Sequence, residues 1–103
     1  MKIGYVLKLV RTVKGMSQGE MAELLGISQN YLSLIESNKK GPSADKIKEF
    51  ADALKVSEHA LVFAASEVPT ELSSEDKKQF RKLQQNILSL LLFKLNGELS
   101  KIA

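Results

Sequence analysis

The sequence predicts an all-α protein in which five short helices form one domain and a sixth helix follows. Apolar residues recur every three or four positions along most of the 103-residue chain, which is the spacing of buried helix faces. Serines stand where they can cap the N-termini of most of these segments. No stretch alternates between apolar and polar residues as a β-strand would, so we expect no sheet.

The composition excludes several classes of function but does not identify one. The net charge of +3 is mildly basic, which permits nucleic-acid binding but does not indicate it. The absence of cysteine excludes disulfides, cysteine zinc sites and thiol nucleophiles, and it fits a reducing compartment. The N-terminus lacks the pattern of a secretory signal, and the longest apolar run, 90–93, is far shorter than a membrane span. We therefore expect a cytoplasmic protein without a membrane segment.

The first two helices follow from apolar spacing and a capping motif. Ile3, Val6, Leu7 and Val10 share one face of the first helix, and Gly15 is a plausible stop. The second helix begins at Ser17, which has capping-box spacing to Glu20. Its apolar side comprises Met21, Ala22, Leu24 and Leu25. Glycine at position 19 is a weak point in its first turn, because glycine costs about 1 kcal/mol relative to alanine inside a helix.

The third helix is expected over residues 28–37, after a break at Gly26 and with Ser28 as its cap. On a helical wheel Tyr31, Leu32 and Ile35 fall on one side and should face the core. The opposite side and its borders carry Gln29, Asn30, Ser33, Leu34 and Ser37.

Two more helices complete the predicted domain. The polar run 38–42 is a turn, and Ser43 can cap a fourth helix with Ile47, Phe50, Ala51 and Leu54 facing inward. Ser57 can cap a short fifth helix that ends near Ala64 and turns Ala60, Leu61 and Ala64 inward.

A boundary near Pro69 divides the predicted domain 1–66 from a linker and C-terminal helix in 67–103. Ser73 or Ser74 can cap the sixth helix, which should run to about Leu95. Its first half is amphipathic, with Phe80 and Leu83 on one side. Residues 87–95 are apolar nearly all round, so this half should be buried against something.

The outward face of the third helix has the chemistry needed to contact base edges. Glutamine and asparagine can pair bidentately with adenine, serine can donate or accept a hydrogen bond, and an aliphatic group can pack on a thymine methyl. A solvated helix surface would have a similar composition, so this face alone leaves both interpretations open.

The spacing of the second and third helices favours the first interpretation. A short helix, a glycine turn and a new helix within three residues form a helix-turn-helix unit, whose second helix enters the major groove of DNA. The sequence resembles the lambda-repressor/Cro-like, or XRE-type, family over about residues 3–65. The resemblance is carried by Ser17-Gln18-x-Glu20-Met21-Ala22-x-Leu24-Leu25-Gly26-Ile27-Ser28-x-x-Tyr31-Leu32-Ser33-x-Ile35-Glu36, then Gly41-Pro42-Ser43, then 47–56.

The resemblance implies roles for the matching residues. Gln29, Asn30 and Leu34 occupy positions that contact bases in the family, and Ser33 lies beside them as a further expected contact. Leu34 is apolar where several relatives carry an amide, so we expect it to contact a methyl group. Gln18 matches a residue that touches phosphate and supports the first residue of the recognition helix.

Further family positions surround that helix. Lys39 and Lys40 lie in the loop that commonly approaches the DNA backbone, and we expect Ser28, Ser37 and Asn38 to contact the backbone as well. Arg11 and Glu36 match a pair that forms a salt bridge between helices in some relatives. This salt bridge would be structural, because it would position the recognition helix without contacting bases.

Three function classes can be weighed. A sequence-specific regulator of double-stranded DNA, acting as a homodimeric repressor on a palindromic operator, fits best. A protein-interaction module of the same fold, such as an antitoxin-like subunit, is the alternative. An enzyme is disfavoured, because a single histidine, no cysteine and no phosphate-binding loop leave no catalytic constellation. No cofactor or metal site is expected.

The sixth helix is the predicted dimerisation element. A second copy of this helix could cover the side that the five-helix domain leaves open. Packing entirely within one chain is the alternative, and another protein could also bind there. The expected interface residues are Phe80, Leu83, Ile87, Leu88, Leu90, Leu91, Leu92, Phe93 and Leu95.

Overall fold

A computed structural model describes residues 2–95, which contain six α-helices and no β-strand. The helices are α1 (Ile3–Val13), α2 (Gln18–Leu25), α3 (Gln29–Glu36), α4 (Ala44–Leu54), α5 (Glu58–Ala65) and α6 (Ser74–Leu95). The predicted all-α fold is confirmed. The division of the chain at residue 66 stays a prediction, and the end of the predicted segment 67–103 lies outside the described residues.

Serine caps begin five of the helices. In each case the serine hydroxyl oxygen accepts a hydrogen bond from the backbone N–H three residues later, at 3.0–3.3 Å. Replacing such a cap by alanine typically costs about 1 kcal/mol, so each serine fixes where its helix starts. The caps are Ser17, Ser28, Ser43, Ser57 and Ser73.

The core lies between the first five helices and receives one side of α6. Its largest fully buried side chains come from α1, α2, α3, α4 and α5, and burial of each contributes roughly 1.5–3 kcal/mol. Leu88 of α6 belongs to the same buried cluster. These largest fully buried side chains are Val6, Leu7, Val10, Met21, Leu32, Ile35, Phe50 and Leu61.

A close backbone approach joins the start of α1 to the end of α3. Gly4 is buried, and a Cβ atom at this position would overlap the carbonyl oxygen of Ile35. Only glycine lets the two helices meet at this distance. No sequence pattern indicates a role for Gly4, yet this glycine sets how closely the end of α3 approaches the start of α1.

One side of α6 is buried within the chain. Leu88 is 9% exposed and Leu91 is 6% exposed, while Leu92 and Leu95 are partly buried against the core. Both Leu88 and Leu91 were expected at a dimer interface. In this structure they are covered by their own chain, so for these two residues the intramolecular alternative describes the packing.

A buried polar residue and an aromatic pair attach α6 to α5. The Gln84 side chain is buried, and its Nε2 donates to the carbonyl oxygens of Phe63 at 3.1 Å and Ser66 at 2.7 Å. These carbonyls lie at the C-terminal end of α5, where helix carbonyls lack partners inside the helix. Phe80 packs on Phe63 with ring centroids 5.2 Å apart. Phe80 thus has an intramolecular partner, and Gln84 was not singled out from the sequence.

Candidate DNA-binding interface

A tight turn sets α3 against α2. Gly26 adopts the left-handed conformation at φ 71°, and the N–H of Ile27 donates to the carbonyl of Ala22 at 3.0 Å. Ser28 then caps α3, so residues 26–28 alone separate the two helices. This is the helix-turn-helix arrangement that the spacing predicts.

The recognition helix α3 has two chemically distinct sides. Leu32 and Ile35 are fully buried, whereas Gln29, Asn30 and Ser33 are exposed. Hydrophobic packing therefore fixes which way the helix is rotated about its axis. The polar side chains point away from the core as the helical wheel predicts.

The outward polar side chains form one surface. Gln29, Asn30 and Ser33, together with Gln18 of α2, line an open depression of about 400 Å³. Within residues 2–95, the side chains of Gln29, Asn30 and Ser33 make no hydrogen bond. Their amides and hydroxyl can therefore bond to an external partner without breaking an internal contact. Leu34 is only half-buried, which leaves part of its side chain at the rim of this surface.

A network of three side chains holds the end of α3. Arg11 Nε donates to Glu36 Oε2 at 2.9 Å, and Arg11 Nη2 donates to Glu36 Oε1 at 3.0 Å. The Glu36 side chain is only 5% exposed. This bidentate hydrogen bonding raises the pKa of the Arg11 guanidinium. The ion pair expected from the sequence is present, and it ties α1 to α3.

Gln18 lies at the first position of α2, as expected, but its partner differs from the one that the resemblance implies. Its Nε2 donates to Glu36 Oε1 at 3.2 Å, so the amide joins the Arg11–Glu36 network. It makes no hydrogen bond to Gln29 in the described structure. Gln18 is thus held by the end of α3 instead of supporting the first residue of that helix.

The start of α2 carries a complete capping box. The Ser17 hydroxyl accepts from the N–H of Glu20 at 3.1 Å, and Glu20 Oε1 accepts from the N–H of Ser17 at 2.9 Å. The hydrogen bonds from the Ser17 backbone and side chain lower the pKa of the Glu20 carboxyl. Both serine and glutamate therefore fix the N-terminus of the helix next to the polar surface.

The loop after α3 brings basic side chains beside the recognition helix. The backbone N–H groups of Lys39 and Lys40 both donate to the carbonyl of Leu34, at 2.9 and 3.2 Å. Both lysines are exposed and form no ion pair with another described residue. Two exposed lysines that directly follow the C-terminal end of α3 are therefore available to neutralise phosphates.

The other predicted backbone-contact residues serve local structure as well. Ser28 caps α3, and the Ser37 hydroxyl donates to the carbonyl of Leu34 at 3.2 Å. Asn38 adopts the left-handed conformation at φ 61°, which asparagine tolerates better than most residues. All three are exposed, so these structural roles leave their side chains accessible.

Sequence comparison adds an independent observation to this geometry. A model of the helix-turn-helix family matches residues 7–61, a span that includes α2, the turn and α3. The chain belongs to the helix-turn-helix family. The predicted lambda-repressor/Cro-like, or XRE-type, membership is thereby confirmed. Helix-turn-helix regulators bind DNA, and this chain carries their DNA-binding unit.

Three relatives illustrate the similarity. The transcriptional regulator SinR of Bacillus subtilis is 33% identical over 88 residues, which cover 84% of this chain and 78% of SinR. The immunity repressor protein of Bacillus phage phi105 is 28% identical over 90 residues, or 84% of this chain and 62% of the repressor. A Methanocaldococcus jannaschii protein, whose name places it among HTH-type transcriptional regulatory proteins, is 35% identical over 94 residues.

The relatives differ in how much of their length is shared. The alignment with the archaeal protein covers 88% of this chain but only 30% of that relative. No solved structure matches the chain. Among the helices between residues 2 and 95, none is both long and apolar enough to cross a membrane.

Proposed function

We propose that this helix-turn-helix regulator is a sequence-specific repressor that binds a palindromic operator in double-stranded DNA as a homodimer. The observation that carries the proposal is the outward face of α3, which exposes amide and hydroxyl groups without partners inside the described chain. The likeness to a protein named as an immunity repressor supports repression. In this proposal the protein acts in the cytoplasm and has no enzymatic activity.

Base recognition is assigned to four residues of α3. The side-chain amides of Gln29 and Asn30 are exposed near the start of the helix, where they can pair bidentately with adenine in the major groove. Ser33 lies one turn further along, and the exposed part of Leu34 can pack on a thymine methyl. The inward side of the same helix is buried, so the rotation of α3 about its axis is fixed and all four side chains leave the helix in a defined direction.

Phosphate contacts are assigned to the rim of the polar surface. Lys39 and Lys40 supply positive charge, and phosphate contacts fix the register of a protein on the duplex. The Ser28 hydroxyl and the amides of Gln18 and Asn38 each keep a hydrogen to donate to a phosphate oxygen. Ser37 would exchange its hydrogen bond to the Leu34 carbonyl for one to phosphate. These further contacts are Gln18, Ser28, Ser37 and Asn38.

Base recognition is tested by selecting bound sequences from random duplex DNA and then measuring variants on the selected operator. Gln29→Ala and Asn30→Ala should each lose about 1–3 kcal/mol of base discrimination at one position, while circular dichroism shows an intact fold. Gln85→Ala, which removes an exposed glutamine from α6, is the matched control and should retain full discrimination. Unchanged preference in both α3 variants would exclude this assignment.

Phosphate contact is tested by the salt dependence of binding. The double change Lys39→Ala and Lys40→Ala should weaken binding to all sequences alike. It should also reduce the slope of log affinity against log salt by about two, since each phosphate contact contributes about 0.9. Lys78→Ala with Lys82→Ala, on the exposed side of α6, is the control. An unchanged slope for the loop variant would remove these lysines from the interface.

The dimer surface is assigned to the α5–α6 groove, which we define by Ala60, Phe63, Leu83, Ile87 and Leu90. Two adjoining hollows of about 360 and 220 Å³ share Ala60 and Ile87, so they form one continuous groove. Leu83 is 52% exposed and Leu90 is 56% exposed, two turns apart on one helix face, and together with the partly buried Ile87 between them they form a contiguous apolar surface. Protein, not DNA, is the partner that such an apolar surface fits.

A second copy of the chain is the occupant that we assign to this groove. Leu83, Ile87 and Leu90 keep the 4-3 spacing of a helix-packing stripe, so each copy offers both a groove and a helix that fits one. A two-fold axis would let both stripes be buried at once, with the same residues on each side. Burial of each half-exposed leucine contributes about 1 kcal/mol per copy. Phe93, 38% exposed, can extend the contact.

The dimer is tested by light scattering at micromolar concentration. Leu90→Lys and Leu83→Lys should each yield a folded monomer with weaker binding to a palindromic operator. Leu24→Lys places the same charge on an exposed leucine of α2, outside the groove, and should leave the dimer intact. A monomeric full-length chain would overturn the homodimer and favour a different protein partner, as in the antitoxin-like alternative.

A further inference from the structure

The second residue of α2 has no side chain at a place where α3 comes close. A Cβ atom built on Gly19 would lie 3.3 Å from Gln29 Oε1 and 3.9 Å from Gln29 Cδ. The carboxamide of Gln29 therefore lies against the backbone of α2, in space that exists because position 19 is glycine. Gln29 is the residue to which the proposed function assigns a base contact.

The contact with Gly19 involves the Gln29 side chain, which has few other contacts within the protein. Gln29 is exposed, and its amide makes no hydrogen bond within residues 2–95. Gln18, the neighbouring glutamine, donates to Glu36 at 3.2 Å and so gives Gln29 no support. The side chain can thus change rotamer without disturbing the core.

A side chain at position 19 would move the Gln29 amide. A carbon atom 3.3 Å from Oε1 is closer than ordinary van der Waals contact, so even alanine requires the amide to shift by a few tenths of an ångström. A longer side chain would fill the hollow and force Gln29 into a rotamer that points away from α2. Hydrogen bonds to base edges are directional, so this change alters which base pair Gln29 can accept.

We propose that Gly19 is a specificity-determining residue that acts through Gln29, a role that rests on the proposed contact of Gln29 with a base. Because Gly19 has no side chain, the Gln29 carboxamide can pack against the backbone of α2. This packing sets the position from which the carboxamide reaches the major groove. Filling position 19 changes the preferred base at the pair that Gln29 contacts and leaves the pairs under Asn30 and Ser33 unchanged.

A double-mutant cycle tests the coupling. The four proteins are the wild type, Gly19→Met, Gln29→Ala and the double variant, measured on operators that differ only at the base pair where Gln29→Ala loses discrimination. Methionine suits a helix and brings no strong hydrogen-bonding group, so it adds no hydrogen bond to a base. An apolar contact of its own with a base would appear as an effect that persists in the Gln29→Ala background. We expect Gly19→Met to change the preference at that pair at least about threefold when Gln29 is present, and not at all in the Gln29→Ala background.

A readout without DNA accompanies the cycle. In nuclear magnetic resonance spectra, cross-relaxation between the Gln29 side-chain amide and the Gly19 α-protons should be present in the wild type. Gly19→Met should shift the Gln29 side-chain amide resonances. Gly41→Met is the control, because nothing lies within 4 Å of a Cβ at Gly41. In the spectrum of Gly41→Met the Gln29 side-chain amide resonances should not shift.

The outcomes separate this inference from the proposed function. An equal effect of Gly19→Met in both backgrounds, or a Gln29 amide unmoved by it, would overturn the role of Gly19 while leaving base contact by Gln29 intact. If Gln29→Ala itself leaves every base preference unchanged, the assigned base contact fails and the role of Gly19 fails with it.

Discussion

Helices α3 and α6 both present a surface to the outside, yet the chain holds them in different ways. The eight-residue α3 is fixed at both ends by polar and close backbone contacts, through the Ser28 cap and the Arg11–Glu36 pair. The 22-residue α6 is attached along one side, mainly by buried leucines. Among its described residues, Gln84 is the one polar side chain that is buried. The exposed face of α3 is mostly polar, whereas α6 exposes the large apolar side chains Leu83, Leu90 and Phe93 among polar ones.

The difference matches the demands of the two proposed partners. A hydrogen bond to a base edge weakens steeply when its geometry is wrong, so a helix that contacts bases must be held firmly at its ends. Apolar contact is non-directional and tolerates small displacements. A helix that packs against another protein can therefore be attached mainly by apolar burial. Two sets of variants test whether this contrast holds, and a third tests the capping box of α2, which lies beside the polar surface.

The largest effect is expected at the partly buried ion pair. Arg11→Met leaves the Glu36 carboxylate 95% buried without its cationic partner, which should lower the free energy of unfolding by about 3 kcal/mol. Lys46→Met breaks the exposed Lys46–Glu49 pair, 3.1 Å long, and should cost less than about 1 kcal/mol. Urea denaturation of both variants measures the difference. Equal costs would mean that polar contacts do not hold α3 as we describe.

A smaller effect is expected at the polar attachment of α6. Gln84→Leu removes the donor that the carbonyls of Phe63 and Ser66 share, at a cost of about 1–2 kcal/mol. Hydrogen exchange should become faster in α6 and at the end of α5, while exchange in α3 stays unchanged. Gln85→Leu, at an exposed neighbouring position, is the control. Faster exchange in α3 as well would show that the two helices are not held independently.

The smallest effect is a pH dependence at the start of α2. The folded-state pKa of Glu20 is below its ordinary value of 4.5, so its ionised form contributes stability above that value. This contribution is lost as pH falls through the folded-state pKa. Thermal unfolding from neutral pH to acid should therefore show a slightly shallower decline for Glu20→Gln, which keeps the capping-box hydrogen bond. Glu23→Gln is the matched control and should leave the decline unchanged, because within the described residues the Glu23 side chain makes no capping hydrogen bond.

Local sequence signals were enough to predict the six helices and the turn between α2 and α3. Capping serines and apolar spacing act within a few residues, so both can be recognised without knowing the fold. The resemblance added the Arg11–Glu36 pair, whose partners are 25 residues apart. Periodicity alone could not have predicted that pair.

Contacts between distant segments were not predictable. Gln84 lies in the middle of a helix, and its polar side chain suggests solvent exposure, yet its hydrogen bonds reach back 21 and 18 residues to the end of α5. Residues 87–95 of α6 are apolar nearly all round, so their sequence likewise did not indicate which side of the helix would face the five-helix domain. The structure turns Leu88 and Leu91 inward and leaves Leu90 outside.

The freedom of the outward side chains of α3 has an evolutionary consequence. Because Asn30 and Ser33 make no hydrogen bond within the described chain, exchanging them should cost the fold little. Leu32 and Ile35 alternate with them along the same eight residues and are fully buried, so they are constrained by packing. Under the proposed base contacts, lineages of this regulator would therefore acquire new target sequences one substitution at a time, without passing through unfolded intermediates. Duplicated copies would then diverge in the proposed operators sooner than in their architecture.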